Sequence, residues 1–223
     1  MHIETLDEQR LRCLTHILEL PEIRPFYLAG GTALSLQLGL RVSVDFDFMT
    51  ERRFNSGAVL DAVKKQFTNT RVLHLDPDTC DLLVDGIQIS FMYYPYPLIT
   101  EPVRGNDCLN KLQMAGINDI SAMKLSAIGG RGSRKDFYDL YQIYQCCSGF
   151  NGEKLLKNAV NKFGTDTDLT YMLMGLNYFD DAESEVLPKQ FIQTDWNEIK
   201  RFFTEEQKHL FMLYESRFKN GKQ

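Results

Sequence analysis

The spacing of apolar and polar residues predicts an α/β region at the start of the chain. The apolar run Phe26–Ala29 stops at two glycines, which is typical of a strand followed by a tight turn. Val42–Phe48 alternates apolar with polar residues, and this period of two predicts a half-buried strand. Asp85-Gly86 stands between two apolar runs and predicts a two-residue hairpin. These signals indicate mixed or antiparallel strands rather than a strict strand–helix alternation.

The segment Thr32–Leu40 gives conflicting signals. Every second residue from Leu34 to Leu40 is leucine, and this alternation favours a strand. The residue types are those of a helix, because no β-branched residue follows Thr32 in this segment. We predict a helix here.

From Ile117 onward the pattern is helical. A glycine-rich stretch, Gly129–Ser133, predicts a break between two helices, and further helices follow near 153–163, 167–184 and 195–217. The predicted fold is therefore α+β, with a mixed sheet flanked by helices and then a C-terminal helical bundle. The predicted domains are 1–148 and 149–223.

Composition excludes several classes of protein. Hydrophobic residues make up 43% of the chain, but no apolar stretch approaches the roughly 18 residues of a membrane span. The acidic, polar N-terminus is unlike a secretory signal, so the expected location is the cytoplasm. The net charge of −5 excludes nucleic-acid binding by bulk attraction, so any such contact needs a local basic patch.

Asp45 and Asp47 are the first candidates for chemistry. Residues two apart in a strand share a face, so two carboxylates would lie side by side there. Magnesium prefers oxygen ligands of this kind, with substrate phosphates completing its shell. For a lone Asp-x-Asp pattern, a solvated strand face is the simpler interpretation.

The preceding Gly30, Gly31 and Thr32 change that balance. A glycine turn at a helix N-terminus lets backbone amides approach a phosphate, and Thr32 could cap the helix and touch a phosphate oxygen. Taken alone, the three residues are as typical of a plain strand-to-helix turn. A phosphate cradle followed closely by a metal-binding pair is more specific than either part.

A second set of charged residues follows Met123. Its cations could neutralise triphosphate charge, although a solvated basic face is the common alternative. Asp136 also fits a capping box with Ser133. Asp139 lies one turn later, as a possible surface partner of Lys135 or Gln142 or as a residue that orients another side chain of the site. The members of this set are Lys124, Arg131, Arg134, Lys135, Asp136 and Asp139. No P-loop, dinucleotide fingerprint or zinc-protease motif occurs in the sequence.

Two stretches resemble the AbiEii/AbiGii toxin family of nucleotidyl transferases, within the DNA polymerase β-like superfamily. The first is FYLAGGTALSLQLGLRVSVDFDFMT, Phe26–Thr50. The second is MKLSAIGGRGSRKDFYDLYQI, Met123–Ile143, which is similar to the family's K…R…KD..DL motif. A weaker match lies at LNYFDDAE, Leu176–Glu183.

The resemblance implies a role for each matched residue. Gly30, Gly31 and Thr32 would cradle the triphosphate, and Asp45 and Asp47 would hold Mg²⁺ or Mn²⁺. The second motif would complete the site through Lys124, Lys135 and Asp136. Further nucleotide contacts are expected from Arg41, Ser43, Arg131 and Asp139.

One position departs from the superfamily pattern. A third carboxylate is usual on a later strand, and the strand Ile87–Tyr93 carries Ser90 at the corresponding place. Asp136 could supply the missing carboxylate as a base. Without it, the protein could bind nucleotide with little turnover.

The predicted activity is magnesium-dependent transfer of a nucleoside monophosphate from a nucleoside triphosphate (NTP) to an acceptor hydroxyl. The resemblance implies a toxin acting on tRNA or other RNA, with a separately encoded antitoxin as partner. A local patch of Arg41, Arg52, Arg53 and Arg134 could meet an RNA acceptor. The alternatives are a catalytically weak nucleotide-binding or interaction module, and a nucleotidyltransferase acting on a small molecule.

Overall fold

A computed structural model describes residues 1–219. The chain divides into two compact units, of which the first is Met1–Gly116 and the second begins at Ile117. The domain boundary predicted between 148 and 149 therefore falls inside the second unit. Residues 220–223, which the sequence assigns to the C-terminal helical domain, lie outside the described range.

Three α-helices belong to the first unit. The first begins after Asp7, whose side chain accepts a hydrogen bond from the Arg10 amide, and the third begins after Asn55, which caps it in the same way. The second covers the segment with conflicting signals, so the helix prediction there is confirmed. Their bounds are α1 Glu8–Ile17, α2 Gly30–Leu38 and α3 Ser56–Gln66.

Seven strands of the first unit form one mixed sheet. Their bounds are β1 Tyr27–Ala29, β2 Phe46–Thr50, β3 Thr70–Asp76, β4 Thr79–Val84, β5 Ile87–Tyr93, β6 Val103–Arg104 and β7 Gln113–Met114. The strand order is β3-β4-β5-β2-β1-β7-β6. Strand β1 is antiparallel to β2, and β2 is parallel to β5. Asp85 and Gly86 both have positive φ and close the predicted hairpin between β4 and β5.

One face of this sheet packs into the core of the first unit. Phe46 and Phe48 of β2 are buried and lie beside Ile89 and Phe91 of β5 in register. The Phe48 and Phe91 rings stack with their centroids 5.2 Å apart. The alternate residues, Asp47 among them, therefore project from the opposite face.

Strand β2 is shorter than predicted. It begins at Phe46, so Asp45 lies immediately before the strand and not within it. The side chain of Thr32 donates to the backbone carbonyl of Asp45 in this segment before the strand.

The second unit is helical. The predicted break in the glycine-rich stretch is confirmed at Gly132-Ser133, although the first of the two helices runs on to Arg131, past its predicted end near Ile128. A Cβ atom on Gly129 would lie 2.5 Å from Cα of Met172, so this glycine lets the helix that carries Met172 pack closely on its own helix. The bounds are α4 Ile117–Arg131, α5 Arg134–Cys146, α6 Gly152–Phe163, α7 Thr170–Gly175, α8 Asp180–Glu183 and α9 Trp196–Leu213, followed by a π-helical turn to Lys219. Within residues 1–219, no helix is both long and apolar enough to cross a bilayer.

An aromatic cluster and a buried ion pair hold these helices together. Phe137 of α5 packs against Phe179, Trp196 and Phe203, with centroid distances of 5.1 to 5.8 Å. Lys162 of α6 donates to Asp119 of α4 at 2.8 Å, and both side chains are fully buried.

Candidate active site

The start of α2 is shaped around one carboxylate. Gly30 has φ +65°, a conformation that side-chain-bearing residues rarely adopt. A Cβ atom at Gly30 would also lie 2.4 Å from Oδ2 of Asp47, so the absence of a side chain lets this carboxylate lie against the helix start. Ala29 is the N-cap residue and gives no side-chain hydrogen bond, so the first amides of α2 are not capped by it. The positive end of the helix dipole therefore lies next to Asp47.

Thr32 fixes the segment that carries Asp45. Its hydroxyl donates to the Asp45 carbonyl and lies 2.6 Å from Oγ of Ser43. A threonine hydroxyl has one proton, so Ser43 must be the donor in the second hydrogen bond. Thr32 is not the helix cap that the sequence suggested. Thr32 and Ser43 are both buried, at 1% and 4% exposure, and they hold Asp45 in position two residues before Asp47.

Two carboxylates fit a magnesium ion that also binds phosphate. Magnesium is usually held by one or two carboxylates, with phosphates and water as its other ligands. Within residues 1–219, no group of three or more histidine, cysteine or acidic side chains could hold a metal alone. Asp45 and Asp47 could hold such an ion where phosphate oxygens and water complete its shell, and this metal site stays a prediction.

One member of the predicted basic patch does not lie at the surface. Arg41 is only 2% exposed and donates to the Val42 carbonyl, so it is an internal residue. Arg53 pairs with Asp78 and lies over the ring of Tyr93, and Arg52 is exposed. Arg134 belongs to the second unit, where it binds the carbonyls of Ala182 and Glu183.

In the second unit, Lys124 lies between two acidic side chains of α5. Its Nζ atom is 2.8 Å from Oδ1 of Asp136 and 2.7 Å from Oδ2 of Asp139. Asp139 is fully buried, whereas the side chains of Lys124 and Asp136 keep 9% and 17% of their exposure. The sequence had suggested Lys135 or Gln142 as the partner of Asp139. The i, i+3 spacing puts Asp136 and Asp139 on one helix face. That spacing was a signal in the sequence that the two carboxylates could share one cation.

Asp136 also starts α5. Its second carboxylate oxygen, Oδ2, accepts from the hydroxyl and the amide of Ser133, and the Ser133 hydroxyl accepts from the Asp136 amide, which is the predicted capping box. Burial opposes the charge of this carboxyl, but the Lys124 ammonium and the hydrogen bonds from Lys124 and Ser133 outweigh it. The pKa of Asp136 therefore lies below its usual value.

The other two predicted cations lie close in sequence to this cluster. Arg131 is the last residue of α4 and is exposed, and Lys135 is half-buried in the first turn of α5. The structure thus brings the predicted residues together as two groups. One comprises Gly30, Thr32, Ser43, Asp45 and Asp47 in the first unit, and the other Lys124, Asp136 and Asp139 in the second. A shared site formed by both groups stays a prediction.

The chain is similar to known proteins in sequence and in fold. An uncharacterised protein of Aquifex aeolicus, aq_aa25, is 38% identical over 200 residues, covering 89% of this chain and 94% of the relative. The nucleotidyltransferase toxin MenT4 of Mycobacterium tuberculosis superposes with a TM-score of 0.61 at 15% identity, over 90% of this chain and 82% of MenT4. JHP933 of Helicobacter pylori gives a TM-score of 0.54 at 19% identity, over 95% of this chain and 97% of that protein.

These two structural likenesses show the fold, because their sequence identities are low. The family model for the nucleotidyl transferase AbiEii toxin of type IV toxin–antitoxin systems matches residues 12–219. The chain therefore belongs to the AbiEii family and is a nucleotidyltransferase.

Proposed function

We propose that this protein transfers a nucleoside monophosphate from an NTP to a hydroxyl group of tRNA or another RNA. The observation that carries the proposal is the position of Asp47, whose carboxylate lies against Gly30 at the start of α2. This arrangement places a possible metal ligand next to the backbone amides of the first turn of α2. A metal-bound polyphosphate needs both.

Each residue of the first unit has a definite task in this proposal. Asp45 and Asp47 hold Mg²⁺ or Mn²⁺ together with the phosphates. The amides of Gly30 and Gly31 bind the polyphosphate tail, where the helix dipole favours negative charge. Thr32 and Ser43 act indirectly, because their hydroxyls are buried and hold the backbone of Asp45. Buried Arg41 has the same kind of supporting role.

The reaction itself exchanges one phosphoester bond for another. The acceptor oxygen forms a bond to the α-phosphorus, the bond to the bridging oxygen breaks, and pyrophosphate leaves with that electron pair. Asp45 and Asp47 would hold the metal, which would supply stabilisation of the charge that develops on the attacking and leaving oxygens. The chain contributes mainly by positioning the substrates, as is general for transfer at phosphorus.

Lys124 is the proposed electrostatic partner of the phosphates from the second motif, with Arg131 and Lys135 as further cations. Asp136 and Asp139 orient the Lys124 ammonium, since each lies within 2.8 Å of it. The earlier prediction of Asp136 as the base is less attractive, because both of its oxygens already accept hydrogen bonds and its pKa is lowered.

An RNA acceptor is supported by the resemblance of both motifs to a family in which RNA is modified. Membership in a toxin–antitoxin family also supports a separately encoded antitoxin protein as a partner. Co-expression with the neighbouring reading frame tests this partner, because an antitoxin should restore growth to cells that this chain arrests.

The proposed activity is tested by incubating the protein with each α-labelled NTP, Mg²⁺ and total RNA. We expect label in RNA with wild-type protein and none with Asp45→Ala or Asp47→Ala. Label transfer that survives both substitutions would refute the metal assignment. Label in a small molecule but not in RNA would mean that the acceptor is a small molecule. Nucleotide binding without any transfer would favour the catalytically weak nucleotide-binding module.

A further inference from the structure

Three polar residues form a row across the open face of the sheet in the first unit. Asp47 of β2 pairs in register with Ser90 of β5, and Ser90 pairs with Asp81 of β4. Residues directly opposite each other on neighbouring strands point to the same face. Their neighbours in sequence, such as Phe48, Phe91 and Leu82, are buried on the other face. Asp81 therefore projects on the same side as Asp47, with Ser90 between them.

Ser90 is a buried residue whose hydroxyl has no hydrogen-bond partner among the described residues. It is 5% exposed, and its Oγ atom makes no hydrogen bond to any side chain or backbone group in residues 1–219. The oxygen itself is not fully enclosed, so this hydroxyl can be reached from solvent. A bound molecule that reaches the row between Asp47 and Asp81 would give this hydroxyl its partner.

The carboxylates of Asp81 and Asp136 differ in their hydrogen bonds. The half-buried carboxylate of Asp81 forms neither a hydrogen bond nor an ion pair with any other residue of the described chain. Asp136, by comparison, accepts from Lys124 on one oxygen and from Ser133 on the other. Of these two carboxylates, only that of Asp81 accepts no hydrogen bond from the protein on either oxygen.

The spacing of the row suits a reacting group. Neighbouring strands lie about 4.8 Å apart, so Asp47 and Asp81, two strands apart, are separated by about 10 Å between their Cα atoms. That gap leaves room above the small Ser90 side chain for an acceptor hydroxyl next to the α-phosphate. An aspartate at position 90 would occupy this space. With serine at that position of β5, the acidic side chain beyond Asp47 in the row is Asp81, one strand further from β2.

We propose that Asp81 is the catalytic base for the acceptor. It accepts the proton of the acceptor hydroxyl as the oxygen attacks the α-phosphorus, and Ser90 hydrogen-bonds that hydroxyl. The proton ends on the Asp81 carboxylate, and the electron pair of the broken bond leaves with pyrophosphate. This inference rests on the proposed function and assigns to Asp81 the role that a third carboxylate has in related enzymes.

The test compares Asp81→Asn with Asp61→Asn, a matched change at an exposed acid of α3. Transfer rate and NTP affinity are measured separately, the latter with a fluorescent nucleotide analogue and Mg²⁺. We expect Asp81→Asn to lower the transfer rate about a hundredfold, within the usual range for a lost general base. Its nucleotide affinity should stay within about twofold of wild type, and Asp61→Asn should match wild type in both.

Two results would overturn the assignment. Transfer by Asp81→Asn at the wild-type rate would remove Asp81 from the reaction while leaving the proposed function intact. An equal loss of rate and nucleotide affinity would make Asp81 a nucleotide ligand instead of a base. Absence of transfer by the wild-type protein would instead refute the proposed function. Should Asp81→Asn fail to fold, Asp81→Ser is measured under the same criteria.

Discussion

Two buried lysine–aspartate pairs in the second unit differ in how completely they are enclosed. Lys162 and Asp119 join α6 to α4, and both side chains are fully buried. Lys124 and Asp136 keep 9% and 17% exposure, although their atoms are equally close at 2.8 Å. An enclosed pair can serve only the packing of its own helices. A partly open pair could also meet a ligand, which is the role proposed above for Lys124.

The largest expected effect is on stability, from Lys162→Met. This change leaves the buried Asp119 carboxylate without its ammonium partner, which costs about 3–5 kcal/mol. Urea unfolding followed by circular dichroism measures the loss. Lys157→Met, at an exposed lysine on the same helix, is the control and should cost less than about 0.5 kcal/mol. Equal stability of the two variants would show that the enclosed pair does not hold the helices.

Lys124→Met sharpens the comparison through activity. The substitution removes a cation proposed to face the phosphates, and we expect nucleotidyl transfer per folded molecule to fall about a hundredfold to a thousandfold. Lys162→Met should keep most of its activity per folded molecule. The same loss in both variants would mean that the more open pair is no more functional than the enclosed one.

The free energy of unfolding should depend on pH through Asp136. Its pKa is lowered in the folded protein, so its charge stabilises the fold above the unfolded value of 3.8. That contribution is lost as the pH falls through the lower folded pKa. Unfolding free energies of wild type and Asp136→Asn should therefore differ near pH 6 and converge as the pH falls below 3.8. A difference that persists unchanged at low pH would argue against the ion pair as its source.

The smallest expected effect is that of Ser133→Ala. Loss of the N-cap hydroxyl at α5 should cost about 1 kcal/mol, since the Asp136 amide loses one of its two acceptors and the Asp136 carboxylate loses a donor. Ser133→Thr keeps a hydroxyl and should recover most of this stability. Thermal unfolding of the three proteins measures the difference, and an unchanged midpoint for Ser133→Ala would exclude the capping box as a stabilising feature.

Much of the fold could be predicted from local patterns. The glycine turn, the hairpin at Asp85-Gly86 and the capping box at Ser133 all depend on residues close in sequence. The α+β class was predictable for the same reason. The continuation of α4 through Gly129 was not, because it depends on how closely α7 packs against that residue.

The candidate site divides in the same way. Asp45 and Asp47 could be identified from their spacing and from the two glycines before them. The buried positions of Thr32 and Arg41 could not, because burial depends on the whole unit. The row through Ser90 and Asp81 likewise requires strand order and register, which place β4 beside β5 and β5 beside β2.

Metal-dependent binding of a non-hydrolysable NTP analogue to wild type and Asp47→Asn tests the central claim most directly. Isothermal titration with and without Mg²⁺ should show at least about tenfold tighter binding with Mg²⁺ for wild type, equivalent to about 1.4 kcal/mol. Asp47→Asn should bind with the same affinity under both conditions. Magnesium-enhanced binding that is unchanged in Asp47→Asn would contradict the account, because the ion would then be held elsewhere.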